Sequence, residues 1–149
     1  MSNYKAASKR SPLGTIPPEF EVKTSGFLRD KGINSAGLYT TRQWNKDDIL
    51  GEYRGKRLTF KKALNKKRNR NYMFDVKRGE KILFVIDAAN KQLSSFVRFA
   101  NAADYGSQQN TEFVQVGQKI FLKALKRIPK GKEILTWYGS RTRDVINQT

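Results

Sequence analysis

The chain has six tyrosines, two tryptophans and nine phenylalanines but neither histidine nor cysteine. The usual neutral-pH general base, His-based triads, thiol nucleophiles, disulfides and cysteine-ligated zinc are therefore excluded. Chemistry is left to tyrosine, carboxylate, lysine, serine or threonine, or to positioning alone. Four short stretches set aromatic or small residues at the ends of candidate strands: "SAGLY" (35–39), "EYRG" (52–55), "YMF" (72–74) and "TWYG" (136–139). Tyr72 and Phe74 share one strand face, because side chains alternate. The small-residue turn Ser35-Ala36-Gly37 lets a ligand approach the backbone closely. A fifth stretch, "RFANAADYG" (98–106), sets Asn101 among three alanines. The small neighbours leave room for something else, and an amide offers both donor and acceptor. Taken singly, an aromatic on a strand is more often core than site.

The elements that must position these residues are short and β-rich. Residues 1–14 read as a flexible basic tail without an apolar signal core. Pro17-Pro18 punctuates entry into an extended run, and "NKDD" turns between "GLYTT" and "ILGEYRG". "KRLTFKKALNKKRNRN" reads as a short, very basic helix. "YMFDV", "KILFVIDA" and "FVRFA" read as strand-like runs. "TEFVQVGQKIFLKALKRI" reads as a hairpin turning at Val116-Gly117-Gln118, its second arm alternating Ile120, Leu122 and Ala124 with lysines. "PKGKE" turns into a last strand, "ILTWYG". The 149 residues suit one domain, over 15–140, followed by a tail at 141–149. No apolar run approaches about 18 residues, so no membrane-spanning helix is expected. The fold class is mostly β with little helix.

The order of these stretches resembles the SET-domain lysine methyltransferases. The likeness starts at "IPPEFEVKTSGFLRDKGINSAGLYTT" and passes through "GEYRG", "YMFDV…FVIDA" and "FVRFANAAD". It ends at "KALKRIPKGKEILTWYG", so that it covers about residues 16–139. "RFANAAD" and "WYG" look most like the PR-domain branch. The resemblance implies several short sheets, a C-terminal pseudoknot made by the "RFAN" segment and the final strand, and binding of S-adenosylmethionine on one face with a substrate lysine on the other. It also implies a protein-lysine N-methyltransferase in the nucleus (the host nucleus for a viral chain), with a histone or chromatin-associated substrate. By position, Tyr138 resembles the active-site tyrosine and Tyr53 the channel tyrosine, and the resemblance implies that both are catalytic, orienting the lysine amine. Ser35, Ala36, Gly37, Tyr72, Arg98, Phe99, Asn101 and Ala102 fall at cofactor-binding positions. Phe74, Thr136 and Trp137 fall along the substrate channel. Methyl transfer from a sulfonium to an amine is an in-line displacement that needs positioning and a dry channel more than a strong base. Tyrosine hydroxyls orient an amine, and tyrosine rings stabilise a cation.

This chain departs from the wider family's pattern at Ala102-Ala103, where many members have His-Ser, and at Ser35 in place of the first turn glycine. The tail "SRTRDVINQT" is expected to cover the cofactor without an aromatic residue. Thr136, smaller than a ring, implies room for di- or trimethyl products. The formal charge is +17, and residues 54–70 hold nine basic residues and no acidic one. A solvated face accounts for such a run, as does a contact with nucleosomal DNA or a nuclear-import signal. Basic histone tails would be repelled unless acids such as Asp104 or Glu112 shape the groove. The alternative is a non-catalytic PR/SET-like module that binds chromatin, nucleic acid or protein through its basic surface. Oligomeric state is left open.

Overall fold

The structure is a computed structural model and describes residues 11–65 and 72–137. Among the described residues, ten strands pair in four small sheets. β1 (Phe20–Thr24) lies antiparallel to β2 (Ala36–Thr40), and Thr24 is opposite Ala36. β3 (Ile49–Tyr53), β9 (Lys119–Ala124) and β8 (Thr111–Val116) form a three-stranded sheet in that order. β4 (Lys56–Leu58), β6 (Lys81–Asp87) and β5 (Met73–Arg78) form another. β7 (Asn101–Ala102) pairs in parallel with β10 (Leu135–Thr136).

The period-two alternation of strands sorts side chains into two cores. Phe74, Val76 and Ile86 join the main core with Tyr53, Leu122 and Ile120. Met73, Val85 and Leu58, on the opposite face, pack with Ala63 of helix α1 (Phe60–Asn65) in a smaller cluster. The expected hairpin is present, with Val116 opposite Lys119 and Gly117 at φ 63° in the two-residue turn. "NKDD" turns as expected, with Asp47 at φ 73° and the Asn45 N–H donating to Asp48 Oδ2 at 2.8 Å.

Two expectations are corrected. Lys56–Leu58 is a strand and not the start of the basic helix, because Leu58 is buried while Lys56 and Arg57 face water. The helix begins only after Thr59, whose hydroxyl accepts from the Lys62 N–H. Residues 66–71, the rest of that expected helix, lie outside the described residues. "FVRFA" is a 3-10 turn (Phe96–Phe99) with Phe96, Val97 and Arg98 all buried; a short apolar run does not distinguish a buried strand from a buried helical turn. The last part of the basic tail is docked. The Gly14 N–H donates to the Ser94 carbonyl, and Arg54 Nη1 to the Ser11 carbonyl, both at 2.9 Å.

Candidate functional site

The β1–β2 pair and the β7–β10 crossing bring together residues that are far apart in sequence. Asn101, at the start of β7, donates from Nδ2 to the Ala36 carbonyl at 3.0 Å. That bond joins the "RFAN" segment to the 35–37 turn across 65 positions. Leu135 stands opposite Asn101 and Thr136 opposite Ala102, and the Ala103 N–H donates to the Thr136 carbonyl at 2.8 Å. The crossing implied at the C-terminal end is therefore present as strand pairing. Asn110 fixes it from the side: its Nδ2 donates to the Glu133 carbonyl and its Oδ1 accepts from the Leu135 N–H, both at 2.9 Å.

A second group lies beside the first. Arg98 is 4% exposed, and its guanidinium sits over the rings of Tyr72 (4.1 Å) and Phe99 (4.8 Å). Its Nε donates to the Ala88 carbonyl at 2.6 Å and its Nη2 to the Ala89 carbonyl at 3.0 Å. These donors point into the protein, so Arg98 supports the site from behind. The Tyr53 hydroxyl donates to the Tyr72 carbonyl. Its ring is fully buried and meets Phe113 edge-on at 5.3 Å and Phe74 at 6.0 Å. Tyr53 and Arg98 thus hold Tyr72 by backbone and by ring. Phe99 lines a cleft of about 220 Å3 with Ile16, Val22, Ser95 and Phe96.

The remaining expected residues are more dispersed. Ser35 is exposed at the mouth of the turn, and Ala102 is half-buried in β7. Thr136 is fully buried, its Oγ1 donating to the Thr111 carbonyl at 3.3 Å, so its side chain is turned toward β8. Trp137 is 39% exposed immediately after β10. Tyr138 lies outside the described residues. Asp104 is ion-paired with Lys31, which reduces the local negative charge expected of it.

Glu133 is the residue that the sequence reading missed. Its Oε2 accepts from Ser25 Oγ at 2.6 Å and from Asn101 Nδ2 at 3.4 Å. Its Oε1 accepts from the Phe27 N–H at 3.1 Å and from the Tyr39 hydroxyl at 3.3 Å. The carboxylate fills the space beside the turn, where a Cβ on Gly37 would collide with it. A signal was available. Glu133 is the only acidic residue among eight basic ones between Lys119 and Arg143.

A family model for the PR domain of PR domain zinc finger protein 2 matches residues 28–148. The chain belongs to the PR-domain branch of the SET-domain family. PR domain zinc finger protein 2 of Rattus norvegicus is 30% identical over 151 aligned positions, covering 97% of this PR domain and 8% of the rat protein. Histone-lysine N-methyltransferase set-17 of Caenorhabditis elegans is 33% identical over 92 residues, covering 62% of this PR domain and 32% of the nematode protein. This PR domain therefore spans about a third or less of these relatives' lengths. Among solved structures, the methyltransferase domain of human PR domain-containing protein 2 superposes with a TM-score of 0.66 at 25% identity, covering 84% of this chain and 80% of that one. The SET domain of the RIZ1 tumor suppressor gives 0.64 at 23% identity, over 89% and 80%, a likeness of fold.

Proposed function

We propose that this PR domain is an S-adenosylmethionine-dependent protein-lysine N-methyltransferase. The observation that carries the proposal is the bond from Asn101 to the Ala36 carbonyl, which assembles two separate cofactor-type segments at one point. The donor set suits the cofactor. Asn101 Oδ1 and the exposed Ser35 hydroxyl offer hydrogen-bonding groups to its amino-acid part. When bound, S-adenosylmethionine supplies an electrophilic methyl group on a sulfonium. The chain's own residues do the positioning. Arg98 and Tyr53 keep Tyr72 and Phe99 in place, and Phe74 backs the Tyr53 ring. Tyr138 is assigned the task of orienting the lysine amine, and Trp137 borders the channel exit. The small Thr136 leaves the proposal of di- and trimethyl products in place, and a mass-spectrometric series ending at monomethyl-lysine would oppose it. Titration calorimetry with S-adenosylmethionine tests the cofactor reading: Asn101→Ala should weaken binding at least about tenfold. Equal affinity in the variant would refute the assignment.

The proposed substrate is a histone or chromatin-associated protein in the nucleus, held with DNA at the basic surface. Lys56, Arg57, Lys61 and Lys62, the exposed described members of the 54–70 run, suit a phosphate backbone. Nucleosome binding should weaken steeply as salt rises, and salt-independent binding would count against DNA contact. One observation favours the non-catalytic module instead: Asn101 Nδ2 and the open side of Gly37 are both occupied within the chain. Nucleosome binding with no cofactor heat in the calorimeter would select that reading.

A further inference from the structure

We propose that Glu133 fixes the sense of the Asn101 side-chain amide, so that the site presents an acceptor oxygen and selects a ligand that carries a cationic amine there. The inference rests on the cofactor reading above for the identity of that ligand. Glu133 is itself held firmly. It bridges to Tyr39 of β2, and its neighbours are tied down by the bonds from Thr40 N–H to the Lys132 carbonyl and from Ile134 N–H to the Leu38 carbonyl. Ser25 and Phe27 fix its carboxylate. Asn101 Nδ2 then faces two groups that only accept, the Ala36 carbonyl and Glu133 Oε2. The opposite flip would set Oδ1 against both oxygens. The nitrogen is therefore committed inward, and Oδ1 is the atom left to meet a ligand. The negative charge 3.4 Å behind that amide favours a cation in front of it.

The isosteric variant Glu133→Gln gives a specific expectation. The Phe27 N–H requires an oxygen at the Oε1 position. The new NH2 must then take the Oε2 position, where it faces Asn101 Nδ2 donor to donor while the Ala36 carbonyl still calls for that nitrogen, so each sense of the amide satisfies one neighbour and opposes the other. The variant thus removes the carboxylate charge and one of the two acceptors that fix the amide, and the site presents donor and acceptor to the ligand in a mixture. Titration of S-adenosylhomocysteine and its deaminated counterpart into the whole chain tests this. The wild type should prefer the amine-bearing compound by about tenfold or more, as for a charge-assisted hydrogen bond. Glu133→Gln should reduce that preference to under about twofold, whereas a merely structural role would weaken both compounds alike. A preference retained in Glu133→Gln, or a parallel loss for both compounds, overturns the proposal. NMR of the ligand-free wild type reads the amide directly and does not depend on the variant folding. The Asn101 NH2, assigned by its absence in Asn101→Ser, should exchange slowly with solvent, and exchange at the rate of an exposed amide overturns the proposal. A protected amide in a wild type that binds neither compound would sustain the orientation by Glu133 and refute the cofactor reading instead.

Discussion

Replacing Arg98 with methionine separates support of the site from contact with a ligand. The variant keeps a long stem of similar reach and loses the guanidinium. Two charge-assisted hydrogen bonds disappear, at 2.6 and 3.0 Å, each worth about 1.5–3 kcal/mol. The ring contacts to Tyr72 and Phe99 add roughly 0.5–2 kcal/mol. Removing a cation that is 4% exposed returns several kcal/mol of desolvation, on the order of half that total. The net loss is expected at about 2–4 kcal/mol, or a fall in Tm of roughly 6–12 °C for a chain of this size. Arg98→Lys keeps the charge without the planar fork and should fall between the two. Urea denaturation gives the stability, and calorimetry with S-adenosylmethionine gives the binding. A variant within about 0.5 kcal/mol of wild-type stability that has nevertheless lost the cofactor would refute the supporting role and make Arg98 a direct contact.

Gly51→Ala in β3 should destabilise by about 1–3 kcal/mol in thermal melts, because its Cβ would lie 2.7 Å from Phe96 Cζ and 3.0 Å from Val97 Cγ1. Asn110→Ala removes both bonds to the crossing strand and should cost about 2–3 kcal/mol in urea melts. Hydrogen exchange in that variant should quicken at Leu135 and Ala103 before the β8–β9 hairpin, and uniform exchange would contradict local loosening.

Local pattern made part of this legible. The β8–β9 hairpin could be read because Ile120, Leu122 and Ala124 alternate with lysines around a glycine turn, a signal held within 14 residues. The family resemblance singled out Asn101 and the 35–37 turn as candidates, and the structure joins them by one hydrogen bond. Other features were hidden because their causes are long-range. Arg98 in sequence is only a cation before an aromatic; its inward aim follows from the Ala88 and Ala89 carbonyls that a 3-10 turn brings to it. Glu133 has hydrogen-bond partners up to 108 positions away, so no periodicity reports them. Thr136 was read for its size, whereas its direction is set by pairing with Ala102 and by the Thr111 carbonyl.

The most direct test of the central claim is transfer of a labelled methyl group from S-adenosylmethionine to lysine in nucleosomes and free histones, with Tyr138→Phe in parallel. Label on lysine with the wild type, reduced at least about tenfold in Tyr138→Phe, is the predicted result. No transfer by the wild type to any of these substrates, or equal transfer by Tyr138→Phe, would contradict it.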